Sequence, residues 1–454
     1  MDLNNKFGIN GGLSAAFYTL GCRVNQYETQ AIEEQFRNAG YEIKSFDDEC
    51  DVYVINTCTV TAESDRKSRQ IIRRTAQVKK TTSVVAVCGC YSQGKPDEIA
   101  EIDGVDLIIG NSGKTDICRL TTEYLTQKRD KMLVSDINTA DEYEEAKISS
   151  SGRTRAFVKI VDGCENHCTY CIIPSVRGKI RSRKHDDVID EVKRLVKSGY
   201  REVVLTGIET AAYGKDFKTN PDSSPLVNLI RDVASVEGIE RIRLGSMEPT
   251  FFTEEAVKAL SGIKKLMPHY HLSLQSGSDS ILKLMKRKYN TSQFLAILDR
   301  LRKYIPECQI TTDIIAGFPG ETEELFLETN NYIKEALFSF IHIFPYSKRD
   351  GTIAASMNNQ LNKAEKKHRV AVLEKTMLEV RRKILESYIG KCTNVLLETQ
   401  SDDYIDGYNP EYIKIKIPIE SINNSSSGDI INVIVTGIAD DSDGGICLTA
   451  IQNN

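Results

Sequence analysis

At 454 residues the chain is longer than one hydrophobic core usually serves, so about three domains are expected. Hydrophobic residues at 40% and charged residues at 27% exclude disordered, collagen-like and disulfide-knot proteins, and no apolar run approaches the roughly 18 to 20 residues of a membrane span. With 59 Lys and Arg against 64 Asp and Glu the net charge is −5, which excludes a uniformly basic nucleic-acid coat but not local basic clusters. Residues 1–12 have neither a basic start nor an apolar signal core, so a cytoplasmic location is expected. In that compartment twelve cysteines point to metal ligation or catalysis rather than disulfides.

From Ala15 to about Leu125, apolar runs alternate with helical stretches: AAFYTL (15–20), a helix from about Asn25, VYVINT (52–57), a helix from about Ser64, SVVAVC (83–88) and VDLIIG (105–110). This alternation predicts a parallel α/β sheet domain over residues 14–125. Cys22, Cys58 and Cys90 each follow one of these strands at intervals of one β/α unit. A parallel sheet brings such positions to its carboxyl edge, where ligands bind. Cys88 competes for the third place, but only Cys90 clears the apolar run, and Cys88 reads as a small buried residue. Residues 126–152, acidic and then serine-rich, read as a linker.

A second α/β series over residues 153–382 has candidate strands at 156–161, 202–208, 241–246, 271–276, 309–317 and 340–346. Six successive β/α units suggest a partial barrel. Just past its first strand, DGCENHCTYCIIP (162–174) presents Cys164, Cys168 and Cys171 as C-x3-C-x2-C. One reading is a zinc knuckle with a distant fourth ligand, although no Cys or His follows at finger spacing. The other is a [4Fe–4S] cluster, where three thiolates leave one iron open to a small ligand. A charged helix over about 363–388 follows. Then VLLETQ, EYIKIKIP, DIINVIVTGI and ICLTAI, divided by turns at DGYNP, SINNSSSG and DDSDGG, predict a small all-β barrel, so that a third domain spans 383–454.

The triplet is the signature of the radical S-adenosylmethionine (SAM) superfamily, and the two three-cysteine sets with the C-terminal barrel resemble its methylthiotransferase family. TLGCRVNQYET (19–29), DGCENHCTYCIIPSVRGKIRSR (162–183), HYHLSLQSGSD (269–279) and TTDIIAGFPGET look most like the branch acting on threonylcarbamoyl-adenosine in tRNA. Other branches act on isopentenyl-adenosine tRNA and on a ribosomal-protein aspartate. The resemblance implies a SAM cluster on Cys164, Cys168 and Cys171, an auxiliary cluster on Cys22, Cys58 and Cys90, and a TRAM-like C-terminal barrel. It implies two uses of SAM, one methylating sulfur at the auxiliary cluster and one generating the radical that removes hydrogen from C2 of adenosine 37. It also places SAM contacts at Thr206, Gly207 and Glu209, where TGIE departs from the common Gly-Gly-Glu form, and at Gln275, Ser276 and Asp313. The implied partners are a tRNA anticodon stem-loop and an electron donor such as flavodoxin or ferredoxin. The catalytic side chains are not identified. A non-enzymatic, metal-stabilised RNA-binding protein is the alternative from another class.

Candidate RNA contacts are the basic residues of 66–80 (Arg66, Lys67, Arg69, Arg73, Arg74, Lys79, Lys80), the eight Lys and Arg of 153–184, and Lys286, Arg287 and Lys288. Residues 392–454 hold two basic residues, Lys414 and Lys416, against ten acids. Contact there is expected only through these lysines with Tyr404, Tyr408 or Tyr412.

Overall fold

Strands rich in β-branched residues and buried on both faces require a parallel sheet covered on either side. The computed structural model, which describes residues 12–127, 131–149, 154–218, 224–441 and 444–453, contains such a sheet at its start. Its strands are β1 (Ser14–Thr19), β2 (Glu42–Ile43), β3 (Val52–Thr57), β4 (Val84–Gly89), β5 (Leu107–Ile109) and β6 (Met132–Leu133), in the order β2-β1-β3-β4-β5-β6. Every pairing is parallel, and every residue of β3 and β4 is buried. The strand order reverses between β1 and β3, the crevice at which doubly wound sheets bind ligands. The edge strands β2 and β6 are two residues each, too short to leave a periodic signal, and β6 lies inside the stretch read as a linker. Ile148 of that same stretch is buried in the core of the next unit.

The second unit comprises β7 (Arg155–Asp162), β8 (Arg181–Ser182), β9 (Glu202–Gly207), β10 (Arg241–Leu244), β11 (Ser246–Met247), β12 (His269–Gln275), β13 (Gln309–Ala316) and β14 (Phe340–Pro345). The run expected as one strand over 241–246 is split: β10 pairs with β9, β11 pairs with β12, and Gly245 alone separates them. A Cβ on Gly245 would stand 2.8 Å from the hydroxyls of both Thr206 and Thr210, so only glycine permits this bend. Through it the six parallel strands β7, β9, β10/β11, β12, β13 and β14 form a partial barrel. Helix Arg23–Asn38 of the first unit packs on β7 and β9, and its Tyr27 and Ala31 belong to the barrel's core.

Helix Lys363–Glu386 crosses the boundary expected at 382/383, with Leu385 in the core of the last unit. That unit is a closed barrel of β15 (Cys392–Gln400), β16 (Tyr404–Tyr408), β17 (Lys414–Pro418), β18 (Ile430–Asp440) and β19 (Ile446–Gln452), in the order β15-β16-β17-β19-β18. Five strands replace the four expected, because the supposed DGYNP turn lies largely within β16. Gly407, read as a turn residue, is there because a Cβ would sit 2.1 Å from the Leu396 carbonyl oxygen across the sheet. Among the described residues no helix is long and apolar enough to cross a membrane.

Candidate functional site

Register explains how three cysteines distant in sequence converge. Thr19 lies opposite Asn56, and Asn56 opposite Cys88, so the chain leaves β1, β3 and β4 at one level of the carboxyl edge. Cys22 is the N-cap of helix Arg23–Asn38 but makes no side-chain cap bond, so its thiol is left free. Cys58 follows β3, and a Cβ on Gly21 would meet its Sγ at 2.8 Å. Cys90 opens helix Cys90–Gly94, while Cys88 packs into the apolar core with Ala15, Val54 and Ala86. The charges of Cys22, Cys58 and Cys90 act on one another, and burial raises the Cys22 thiol and pushes Cys58 up to about 12. Cys22 nonetheless keeps exposed surface.

Cys90 is held from the second unit. Arg177, fully buried, donates from Nε to Cys90 Sγ (3.2 Å), from Nη1 to Glu28 Oε1 (2.5 Å) and from Nη2 to Asn25 Oδ1 (2.6 Å). Lys159 bridges Glu28 (2.7 Å) and Asp162 (2.5 Å), and Lys114 reaches Glu28 at 2.5 Å. Three buried cations thus face two carboxylates, a positive surplus beside Cys90 that suits anionic sulfur. The Arg177 cation holds Glu28 well below the usual carboxylate range against its burial, with Lys114 and Lys159 adding to the effect.

The loop carrying Cys164, Cys168 and Cys171 leaves the carboxyl end of β7. Gly163, at φ +76°, lets it turn where a Cβ would stand 1.8 Å from the Lys179 carbonyl oxygen. Asn166 N donates to Cys164 Sγ (3.4 Å), and Arg287 Nη1 donates to Cys168 Sγ (3.2 Å) while its Nη2 pairs with Glu248 at 2.8 Å. Burial pushes the Cys164 thiol up to about 11 and Cys171 up to about 12, with Cys168 adding to each. Loading a metal on either set must therefore expel protons.

An open cavity of about 200 Å³ lies between the two sets, with Val60 and Thr61 of the Cys58 loop on one side and Tyr170 and Cys171 on the other. Arg349 latches the sides together by donating to Thr59 Oγ1 and Asp65 Oδ2, both at 2.7 Å. Glu209 stands by the cysteine loop, accepting from Asn166 Nδ2 (3.2 Å) and the Glu248 amide (3.1 Å). Burial, then the neighbouring Glu248 carboxylate, pushes it up to about 7. Thr206 and Gly207 end β9, and Gln275, at φ +77° where β12 bulges, lines the cavity. Asp313, on β13, lines the same cavity and is bonded to His271, while Ser276 is buried with its hydroxyl 3.3 Å from Thr329 Oγ1 on helix Glu323–Ala336.

Some of the expected RNA contacts are internal. Arg155, Lys159, Arg177, Arg181 and Arg183 all pair with buried or half-buried carboxylates. Arg66, Arg69, Arg74, Lys79 and Lys80 pair with Glu63, Glu98, Asp47, Asp106 and Glu49, leaving Lys67 and Arg73 as exposed members of that helix without a carboxylate partner among the described residues. Lys414 and Lys416 pair with Asp441, and Tyr408 and Tyr412 stack on Arg155 across the barrel's amino-terminal mouth. Sequence reasoning missed Glu28 and Arg349, and it read Arg177 and Arg287 as RNA contacts rather than as partners of the thiols. Glu28 alone carried a signal, since it shares the apolar helix face of Val24 and Ala31 and a buried acid demands a partner.

A partial (β/α)6 barrel with a three-thiol loop after its first strand defines a class, the radical SAM enzymes. The Radical SAM superfamily profile matches residues 158–333, and that of the uncharacterized protein family UPF0004 matches 14–110. The threonylcarbamoyladenosine tRNA methylthiotransferase MtaB of Bacillus subtilis (strain 168) is 42% identical over 408 residues, 88% of this chain and 90% of that protein. The tRNA-2-methylthio-N(6)-dimethylallyladenosine synthase of Methylacidiphilum infernorum is 36% identical over 394 residues, 84% of each. Among solved structures, the radical SAM methyltransferase TsrM of Kitasatospora setae shares the fold at a TM-score of 0.57 and 14% identity, over 76% of this chain and 77% of that one. The chain belongs to the radical SAM methylthiotransferase family. It is an enzyme of methylthio transfer to tRNA, and its cofactors are SAM and two [4Fe–4S] clusters.

Proposed function

We propose that the enzyme methylthiolates C2 of N6-threonylcarbamoyladenosine at position 37 of tRNA, next to the anticodon, giving 2-methylthio-N6-threonylcarbamoyladenosine. In this reading Cys164, Cys168 and Cys171 hold the SAM cluster, and Cys22, Cys58 and Cys90 hold the auxiliary one. The observation that carries it is the cavity between the two thiol sets, floored by strand ends and wide enough for a base. When bound, the clusters and SAM supply one-electron cleavage of the sulfonium, a methyl group and sulfur.

The chain's own residues bind and orient. Glu209 would hold the ammonium of SAM's methionine, whose positive charge would favour the carboxylate that burial pushes up to about 7. Thr206, Gly207 and Gln275 complete the SAM wall. Arg287 fixes the Cys168 sulfur, and Arg177 does the same for Cys90 while balancing negative charge there. The reaction belongs in the cytoplasm, with its electron from a small protein donor of the flavodoxin or ferredoxin kind.

The test is anaerobic reconstitution with SAM, dithionite and tRNA carrying either modified adenosine, followed by nucleoside mass spectrometry. Product from threonylcarbamoyl tRNA is expected, and its loss in Cys22→Ala, Cys58→Ala and Cys90→Ala. Sulfur incorporation only into dimethylallyl-adenosine tRNA overturns the substrate assignment.

A further inference from the structure

The barrel's inner wall carries polar side chains that cluster and SAM binding leave unused. His271 on β12, Asp313 on β13 and His342 on β14 lie on adjacent parallel strands, with one polar atom of each within 4.8 Å of the others. Both nitrogens of His271 are engaged: Nε2 lies 3.1 Å from Asp313 Oδ2, and Nδ1 lies 3.0 Å from Thr311 Oγ1. The ring is thus fixed, and Asp313 keeps a second oxygen for another donor. His342, 5.8 Å from the His271 ring, stacks on Phe344 at 6.3 Å and 19°. Both are open to solvent, Phe344 at 46%, on the face of β14 that lines the cavity between the thiol sets.

Arg23, the residue after Cys22, reaches into the barrel from the first unit. Its guanidinium stands 5.8 Å from the Phe157 ring and 6.0 Å from the Tyr412 ring, with Nη2 3.5 Å from the Tyr412 hydroxyl. Among the described residues no carboxylate lies within ion-pair distance of it, unlike the neighbouring Arg155 and Arg243, which share Glu202. Its charge nevertheless reaches Asp313 and His342. A half-buried guanidinium without an anion, beside fixed hydrogen-bonding groups and an aromatic wall, suits a ligand with a planar ring, neutral polar groups and a carboxylate.

We propose that Arg23, His271, Asp313 and His342 form the specificity subsite for the N6 substituent of the substrate adenosine. Arg23 takes its carboxylate, His342 and the second Asp313 oxygen take its hydroxyl and urea groups, and His271 holds Asp313 in place. This deepens and rests on the threonylcarbamoyl reading. A dimethylallyl group would fill the same space with hydrocarbon and give Arg23, His342 and the second Asp313 oxygen no polar partner, the arrangement by which sites reject analogues most strongly.

The test uses the reconstituted full-length enzyme and two anticodon stem-loops, one carrying threonylcarbamoyl-adenosine and one its carboxamide, with dissociation constants for wild type, Arg23→Gln and Arg23→Lys. Arg23→Gln is expected to weaken the carboxylate RNA by roughly tenfold to a hundredfold, to leave the carboxamide RNA unchanged, and to be partly rescued by Arg23→Lys. Equal weakening of both RNAs, or none, overturns the subsite. His342→Gln, at an open position, is expected to raise KM for threonylcarbamoyl tRNA with iron content unchanged, and an unaltered KM overturns the part given to His342. Wild type active only on dimethylallyl tRNA is a different failure, since it removes the substrate reading itself.

Discussion

A guanidinium with no exposed surface persists only where its charge is matched, and Arg177 is matched from both units at once, by Glu28 and Asp162. Removing one partner of such a network strands the other. Arg177→Met is therefore expected to cost about 3–5 kcal/mol of stability in chemical denaturation and to lower iron retained at the first cysteine set. Glu209 gives a pH signature. Its folded pKa of about 7 lies above the ordinary 4.5, so its contribution is complete below about pH 4.5 and is lost as pH rises through 7. In cofactor-free protein Glu209→Gln should be more stable than wild type at pH 8.5, by up to about 3 kcal/mol, with the gap closing toward pH 4.5. Equal stability at both pH values would contradict the buried-carboxylate account. The six cysteines proposed to hold the clusters stand out in the sequence because thiols are rare and their spacing follows strand length. Arg177 does not, because one arginine in PSVRGK looks like any other until Glu28 lies opposite it.

Elements set the geometry that those residues use. The loop after β7 exists because Gly163 adopts φ +76° against the Lys179 carbonyl, so Gly163→Ala should lose about four of roughly eight irons per chain, the remaining four staying on the first set. Full iron content in that variant would show that the turn is not required. Long apolar runs such as β3, β4 and β13 were readable to within a residue or two, since burial on both faces leaves only one period. Two glycines are misread in opposite senses: Gly245, read inside one strand, is the bend that splits it, and Gly407, read as a turn, lies within β16, yet each allows a close approach of backbone to backbone or to side chain. Nothing local distinguishes the two uses, because the colliding atom comes from a distant strand.

At the scale of the molecule, charge that looked available for RNA turns out to hold the units together. Arg155, Arg241 and Arg243 converge on Glu202 at the barrel's amino-terminal mouth, and Arg241 and Arg243 also donate to backbone oxygens of the C-terminal barrel. Tyr412 plugs that mouth, at φ +64°, against His269 and Arg243. Composition counts charges but cannot say which face inward. Lys67 and Arg73 remain exposed, so Lys67→Ala and Arg73→Ala should each weaken tRNA binding and lower its salt slope by roughly 1. An unchanged slope would move the RNA track elsewhere. The latch from Arg349 to Thr59 and Asp65 has a wider consequence, since it ties the wall beyond Cys58 to the one that follows β14. Like a vice whose jaws were set when it was cast, the enzyme then chooses its nucleoside by what the gap admits rather than by how far it can shut.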